Sequence, residues 1–255
     1  MAIIGASERN AWHVDNGTVD LTRRRRSARP VAVAARAQPV VIDLSRTALI
    51  VVDMQNDFCT VGGWLDHIGV DVAPTRSPVA VLGPLLPALR SADVPVIWLN
   101  WGNRPDLANL PPGVLHVYDP DGTSLGLGDA LPGSGAHVLE RESWSAAVID
   151  ELKIDAADIC VDKYRMSGFW DTELQSSLAN LDVTTLLFSG VNLDQCVYAT
   201  LIDAACIGYD CILLEDCAAT TSPKACVEAT LYNVAQCFGF VARGADLLEA
   251  LEAAS

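Results

Sequence analysis

The chain has 255 residues, 51% of them hydrophobic, and its 17 basic and 32 acidic side chains give a net charge of −15. This length supports a full hydrophobic core in one domain, and no apolar run reaches the roughly 20 residues that span a bilayer. The negative charge argues against nucleic acid or an anionic membrane surface as a partner.

The first 45 residues differ from the rest of the chain in composition. They are polar and rich in arginine, with the run Arg23–Arg26. The apolar stretch that follows is short and is broken by Arg36, which argues against a twin-arginine export signal. We predict that residues 1–45 form an arm, a candidate for wrapping around a neighbouring subunit, and that residues 46–255 form the folded domain.

Strand and helix patterns alternate from residue 47 onward. Strands are predicted at residues 47–52, 94–99, 159–161, 184–188, 211–214 and 238–241. Helices are predicted at residues 79–92, from about 146, and at 172–180, 196–208, 223–236 and 245–253. Residues 103–135, rich in Gly, Pro and Asp, are typical of a long functional loop. The alternation predicts an α/β fold with a mostly parallel central sheet and helices on both faces.

The eight cysteines form no C-x-x-C pair, and several lie within apolar strand or helix patterns. This usage is typical of reduced thiols in a cytosolic protein and not of a disulfide framework. We therefore expect a cytoplasmic location.

Three reactive side chains follow predicted strands: Asp53, Lys163 and Cys196. Parallel strands bring such positions to the edge of the sheet where ligands bind. Cys196 also begins a predicted helix, and the positive end of the helix dipole favours a thiolate. Together the three side chains form a plausible set for acyl transfer, with an aspartate to take the thiol proton, a lysine to stabilise the charged forms and a thiolate to attack a carbonyl carbon. Taken singly, each side chain also has a structural interpretation: Asp53 as a helix cap, Lys163 as a solvated side chain and Cys196 as a small buried hydrophobic residue.

Four sequence blocks occur in this order: ALIVVDMQNDFC with Asp53, DKYRMSGFWDTEL with Lys163, SGVNLDQCV with Cys196, and LLEDCAATTSP. Together they resemble the isochorismatase-like cysteine hydrolases, a family that includes nicotinamidase and the N-carbamoylsarcosine, ureidoacrylate and biuret hydrolases. The resemblance covers residues 47–251 and implies a Rossmann-like three-layer sandwich.

The same resemblance implies a Cys-Asp-Lys triad. Asp53 would deprotonate Cys196, and the thiolate would attack an amide or ureido carbonyl to form a thioester that water then hydrolyses. Lys163 would hold the Asp–Cys pair electrostatically. The backbone N–H groups of Asn192 and Cys196 would bind the oxyanion, with a cis peptide bond between Val191 and Asn192.

Two further stretches, DFCTVGGWLDHIG and NRPDLANLP, resemble the biuret and ureidoacrylate hydrolases most. A small ureido or amide compound is therefore the expected substrate. Asn192 places a side-chain amide where the family often has a small residue, which argues against assigning the substrate of biuret hydrolase directly to this chain. The candidate substrate contacts are Phe58, Trp101, Asn103, Arg104, Tyr164, Trp170 and Gln195. For the aromatic residues in this set the alternative is plain core packing, and for Arg104 it is a structural salt bridge.

Other functions stay open at this point. The same fold also suits an N-carbamoyl amino acid, a maleamate or a nicotinamide-type amide, and a catalytically silent binding or scaffold protein is a further alternative, against which the intact triad argues. The cysteine argues against the isochorismatase branch that cleaves vinyl ethers without it. We expect no cofactor and no metal, since only His67 lies near the position of the nicotinamidase metal site. The resemblance also implies a homodimer or homotetramer.

Overall fold

The N-terminal segment forms two small antiparallel sheets in this computed structural model, which describes residues 2–23 and 26–254. Arg24 and Arg25 of the arginine run lie outside those ranges. The first sheet has three strands and the second has two. The strands are β1 (Ala2–Ile4), β2 (Trp12–Asp15), β3 (Thr18–Asp20), β4 (Pro30–Val33) and β5 (Val40–Asp43).

Part of this segment packs on its own chain. Val31, Val33 and Ile42 of the β4–β5 hairpin are buried in a main hydrophobic cluster. The buried Arg9 guanidinium donates to the backbone oxygen of Ser45 at 2.7 Å. Residues 30–45 therefore belong to the packed body of the protein, and contact of the arm with a neighbouring subunit stays a prediction.

The central sheet has six strands, and all neighbouring strands are parallel. The strands are β6 (Thr47–Val52), β7 (Val96–Trp101), β8 (Ile159–Lys163), β9 (Thr185–Gly190), β10 (Asp210–Ala218) and β11 (Phe240–Ala242). Their order across the sheet is β11-β10-β9-β6-β7-β8. All six residues of β6 are buried, as a central strand covered on both faces requires. The predicted α/β class is confirmed.

Helices cover both faces of the sheet and enclose one hydrophobic cluster on each. The helices are α1 (Asn56–Cys59), α2 (Trp64–His67), α3 (Val79–Ser91), α4 (Pro112–Tyr118), α5 (Leu174–Asn180), α6 (Tyr198–Ile207), α7 (Lys224–Asn233) and α8 (Gly244–Ala254). α3 and α8 pack on one face, whereas α5 and α6 pack on the other. A wider π-helical turn, Leu193–Val197, precedes α6, and a second one, Val234–Phe238, follows α7.

Two local predictions were wrong. The helix expected from about residue 146 is absent, because the backbone there pairs with the segment around α1 instead of with itself. Asn56 N–H donates to Ala147 O at 2.9 Å, and Ile149 N–H donates to Met54 O at 3.0 Å. The stretch 103–135 is also not all loop, since it contains α4.

In the described ranges, the helices are too short or too polar to cross a membrane. All eight cysteines carry free thiols.

Candidate active site

Asp53, Lys163 and Cys196 meet at the carboxyl edge of the sheet. Asp53 follows β6, Lys163 ends β8 and Cys196 lies in the π-helical turn after β9. Lys163 Nζ is 2.8 Å from Asp53 Oδ2 and 3.3 Å from Cys196 Sγ. The three residues are 1%, 0% and 5% exposed, respectively. The lysine thus bridges a carboxylate and a thiol inside the protein.

Asp53 is held by a sharp turn at the end of β6. Its φ of +48° lies in the left-handed region, which costs about 1–3 kcal/mol for a residue with a side chain and persists where the surroundings fix it. The Asp53 N–H donates to Leu99 O at 3.0 Å, and Asp53 Oδ1 accepts from Trp101 N–H at 2.9 Å. These bonds to β7 aim the carboxylate across the sheet edge towards Lys163.

Lys163 is held by contacts on several sides. Besides Asp53 and Cys196, its ammonium donates to Arg165 O at 3.2 Å and lies 4.6 Å from the ring centroid of Trp101. Burial acts to lower the pKa of Lys163, but the Asp53 carboxylate and the Cys196 sulfur raise it above the ordinary value overall. Lys163 is therefore a fixed positive charge in the site.

Burial also decides the charge states of the other two groups. It raises the pKa of the Asp53 carboxyl, although the charge of Lys163 and hydrogen bonds from Lys163 and Cys196 oppose the shift. It raises the pKa of the Cys196 thiol to about 12, and Lys163 only partly opposes this. Burial therefore acts on this thiol against the expected effect of the helix dipole and favours the protonated form at rest.

The turn that carries Cys196 contains one backbone feature that the family resemblance implied, while oxyanion binding by the N–H groups of Asn192 and Cys196 stays a prediction. The peptide bond between Val191 and Asn192 is cis. Asn192 O accepts from the N–H groups of Gln195 at 3.0 Å and Val197 at 3.3 Å, which closes the turn. Thr200 ties the turn to the segment after β8, since its hydroxyl donates to Cys196 O at 2.7 Å and accepts from Gly168 N–H at 3.1 Å.

The other predicted contact residues fall into two groups. Trp101, Asn103 and Phe58 are buried, and Trp101 touches the triad through its ring. The side-chain amide of Asn103 has no hydrogen-bond partner within the part of the chain that the structure describes. The second group has local partners: Arg104 with Asp106, Tyr164 with Asp171 O, Trp170 with Asp203, and Gln195 with Ser222. For Arg104 this is the salt bridge of the alternative interpretation, and substrate contact by either group stays a prediction.

Three residues near the triad were missed by sequence reasoning. The Met166 sulfur lies 3.8 Å from Cys196 Sγ. The Tyr118 ring packs against Trp101, tilted by 55° with ring centroids 5.4 Å apart, and burial is the main cause that raises its pKa, with the Asp53 carboxylate adding to it. Gln55 bonds to the backbone of Trp101. Met166 and Gln55 lie inside the quoted blocks, so their positions beside Lys163 and Asp53 were the available signal.

Among the described residues there is no group of three or more His, Cys, Asp or Glu side chains placed to hold a metal ion. His67 is exposed at the end of α2.

Comparison with known proteins agrees with the fold. Residues 47–246 match the Isochorismatase domain family. The chain is 34% identical to ureidoacrylate amidohydrolase RutB of Methylobacterium radiotolerans over 227 residues, which cover 87% of this chain and 85% of that protein. A solved cysteine hydrolase from Pseudomonas syringae pv. phaseolicola is 29% identical with a TM-score of 0.70, and covers 84% of this chain and 96% of its own.

A more distant structure shares the fold alone. N-carbamoylsarcosine amidase from Thermoplasma acidophilum is 23% identical with a TM-score of 0.56, and the match covers 78% of this chain and 96% of that one. The family match spans most of the chain and starts at the first strand of the central sheet. The protein therefore belongs to the isochorismatase family.

Proposed function

We propose that the protein is an amidohydrolase that cleaves a C–N bond of a small ureido or amide compound through a thioester on Cys196. The observation that carries the proposal is the buried lysine that contacts both a carboxylate and a thiol. The 34% identical relatives named ureidoacrylate amidohydrolase support a ureido substrate. A silent binding protein has no chemical need for this arrangement.

The first step is a proton transfer from the Cys196 thiol to the Asp53 carboxylate. The total charge of the three groups does not change, because a negative charge moves from oxygen to sulfur. Lys163 Nζ lies within 3.3 Å of both atoms, so the ammonium stabilises the charge before and after the transfer. The raised pKa of Asp53 makes this carboxylate a stronger base than an exposed one.

The second step is attack by the thiolate on the substrate carbonyl carbon. The C=O electron pair moves to oxygen, and the N–H groups of Asn192 and Cys196 bind the oxyanion. One such donor contributes about 3–4 kcal/mol to the transition state in well-studied hydrolases. As the intermediate collapses, the C–N bond breaks and the leaving nitrogen takes the proton from Asp53. Ammonia or an amine departs, and an acyl or carbamoyl thioester remains.

The third step returns the site to its resting state. Water attacks the thioester carbon while Asp53 accepts its proton, and the S–C bond breaks with Lys163 beside the departing sulfur. The sulfur then regains the proton from Asp53. Burial of the triad limits entry of bulk water, which favours reaction with a bound carbonyl compound.

The proposal is tested by measuring release of ammonia or amine from purified full-length protein. The substrates are ureidoacrylate, biuret, N-carbamoyl amino acids, maleamate and nicotinamide. We expect turnover of a ureido compound, a loss of about 1,000-fold or more in Cys196→Ala, and unchanged activity in the exposed-thiol control Cys206→Ala. Equal activity in the two variants, or no turnover of any of these compounds, would reject the proposal.

A further inference from the structure

An open cavity of about 470 Å³ lies between α6 and the segment that follows β8. Its apolar lining comes from Met166, Trp170, Ala199 and Ile202. A cavity of this size accommodates a small molecule. Cys196 itself does not line the cavity, and Ala199 of the cavity wall follows it by three residues in the chain.

Met166 joins this cavity to the nucleophile. Its side chain lines the cavity, and its sulfur lies 3.8 Å from Cys196 Sγ. Since Cys196 is only 5% exposed, a substrate in the cavity reaches the sulfur when the methionine side chain moves. Methionine is unbranched and has three rotatable side-chain bonds, so this movement needs only a change of rotamer.

The backbone on both sides of Met166 is fixed. Arg165 O accepts from Lys163 Nζ at 3.2 Å, and Gly168 N–H donates to the Thr200 hydroxyl at 3.1 Å. A Cβ on Gly168 would approach the Leu99 side chain to 2.3 Å, which shows how closely the segment packs. The methionine side chain is therefore the movable part of this wall.

The charges around the cavity favour an uncharged ligand. Arg165 is occupied, because its Nη1 donates to Asn109 O and Tyr164 O at 2.9 Å and its Nη2 lies 3.6 Å from Asp171. Asp203 also lines the cavity and accepts from the Trp170 indole at 2.8 Å. One guanidinium thus faces two carboxylates in a chain of net charge −15, and a carboxylate-bearing ligand is repelled.

We propose that the substrate reaches Cys196 through this cavity, that the Met166 side chain is the gate, and that small uncharged ureido or amide compounds are preferred over carboxylate-bearing ones. The inference rests on the proposed function, from which it takes Cys196 as the nucleophile. It adds a route, a gate and a charge preference. The charge preference sets this chain apart from the relatives named ureidoacrylate amidohydrolase, whose named substrate bears a carboxylate, so those relatives support the ureido group and not the acid group.

The test is alkylation of Cys196 in the full-length protein, followed by peptide mass spectrometry. The probes are iodoacetamide, which is uncharged, and iodoacetate, which is an anion. Labelling of the exposed Cys237 in the same sample corrects for the intrinsic difference between the probes. We expect Ile202→Trp, which fills the cavity, to slow labelling of Cys196 about tenfold, and Met166→Ala to accelerate it by a similar factor.

The matched control is Leu115→Trp, which fills a separate cavity of about 330 Å³ beside α4 and is expected to leave labelling of Cys196 unchanged. The charge preference is tested with Asp203→Asn, which retains an acceptor for Trp170 and is expected to raise the iodoacetate-to-iodoacetamide ratio. Unchanged labelling of Cys196 in a folded Ile202→Trp variant would overturn the route. If labelling of Cys196 is not faster in a folded Met166→Ala variant, the gate is overturned. An unchanged ratio in Asp203→Asn would overturn the charge preference.

Alkylation needs no turnover, so the two proposals fail separately. Slow labelling in Ile202→Trp with no hydrolysis of any ureido or amide compound would support the route and reject the amidohydrolase. Hydrolysis that depends on Cys196, together with normal labelling in Ile202→Trp, would do the reverse.

Discussion

The side-chain amide of Gln55 pairs with both backbone groups of Trp101: its oxygen accepts from Trp101 N–H and its nitrogen donates to Trp101 O, each at 2.8 Å. Gln55 is fully buried. The backbone N–H of Trp101 also donates to Asp53 Oδ1, and the centroid of the Trp101 ring lies 4.6 Å from the Lys163 ammonium. Gln55 is therefore a positioning residue for two members of the triad.

Replacing Gln55 by Ala is expected to lower kcat by about 10- to 100-fold while KM changes less, because Trp101 then no longer holds Asp53 and Lys163 in place. The unpaired backbone groups are expected to lower the free energy of unfolding by about 1–3 kcal/mol. Steady-state kinetics and urea denaturation measure both effects. The control is Gln175→Ala on the exposed side of α5. A loss of stability without a loss of kcat would contradict the positioning role.

The pairing of Lys163 with Asp53 predicts a second outcome. Lys163→Met leaves the Asp53 carboxylate buried without a cation, which is expected to lower the free energy of unfolding by about 3–5 kcal/mol and to abolish hydrolysis. Asp53→Asn/Lys163→Met removes both charges and is expected to be more stable than the sum of the single losses implies. Urea denaturation of Lys163→Met, Asp53→Asn and the double variant measures the coupling.

The control for this cycle is Lys224→Met, since Lys224 pairs with Glu228 at an exposed helix surface and is expected to leave the unfolding midpoint unchanged. Additive losses in the Asp53 and Lys163 variants would show that the buried pair carries no coupling.

The sequence predicted much of this site because its positions follow from strand periodicity. Apolar runs such as 47–52 predict buried strands, and parallel strands bring their following residues together, so Asp53, Lys163 and Cys196 were found. The burial of Cys196 was not predicted, because it depends on side chains such as Met166 that pack over the thiol. The false helix near 146 has a similar cause, since pairing of Ala147 O with Asn56 is a tertiary contact that local patterns do not encode.

The N-terminal sheet predicts an effect on assembly. β1–β3 leave Ile4, Trp12 and Val19 exposed on one face of the sheet, since Ile4 pairs with Trp12 and Val19 pairs with Val14, whereas the exposed Ile3 lies on the opposite face. We propose that this sheet contacts a second copy of the chain in a homodimer or homotetramer. Deleting residues 2–20 while keeping the β4–β5 hairpin is then expected to lower the mass measured by light scattering. An unchanged mass in a folded deletion variant would reject the proposal.

The raised pKa of Cys196 predicts how stability changes with pH. An unfolded cysteine loses its proton near pH 8.5, whereas the folded thiol has a pKa of about 12, so the folded state binds more protons between these values. The contribution of Cys196 to the free energy of unfolding is therefore complete below pH 8.5 and is lost as the pH rises towards 12. At pH 10 the loss is about 2 kcal/mol, since each pH unit above 8.5 removes about 1.4 kcal/mol.

The measurement is urea denaturation at pH 7 and pH 10 for the native protein and for Cys196→Ala. The other buried thiols Cys59, Cys211 and Cys217 also have raised pKa values, but they are present in both proteins and cancel in the comparison. The native protein is expected to lose more stability than Cys196→Ala between the two pH values. Equal losses would show that burial does not raise the pKa of Cys196. A smaller loss in the native protein than in Cys196→Ala would show that the folded pKa lies below about 8.5, so that the resting cysteine is a thiolate and does not need Asp53 as its base.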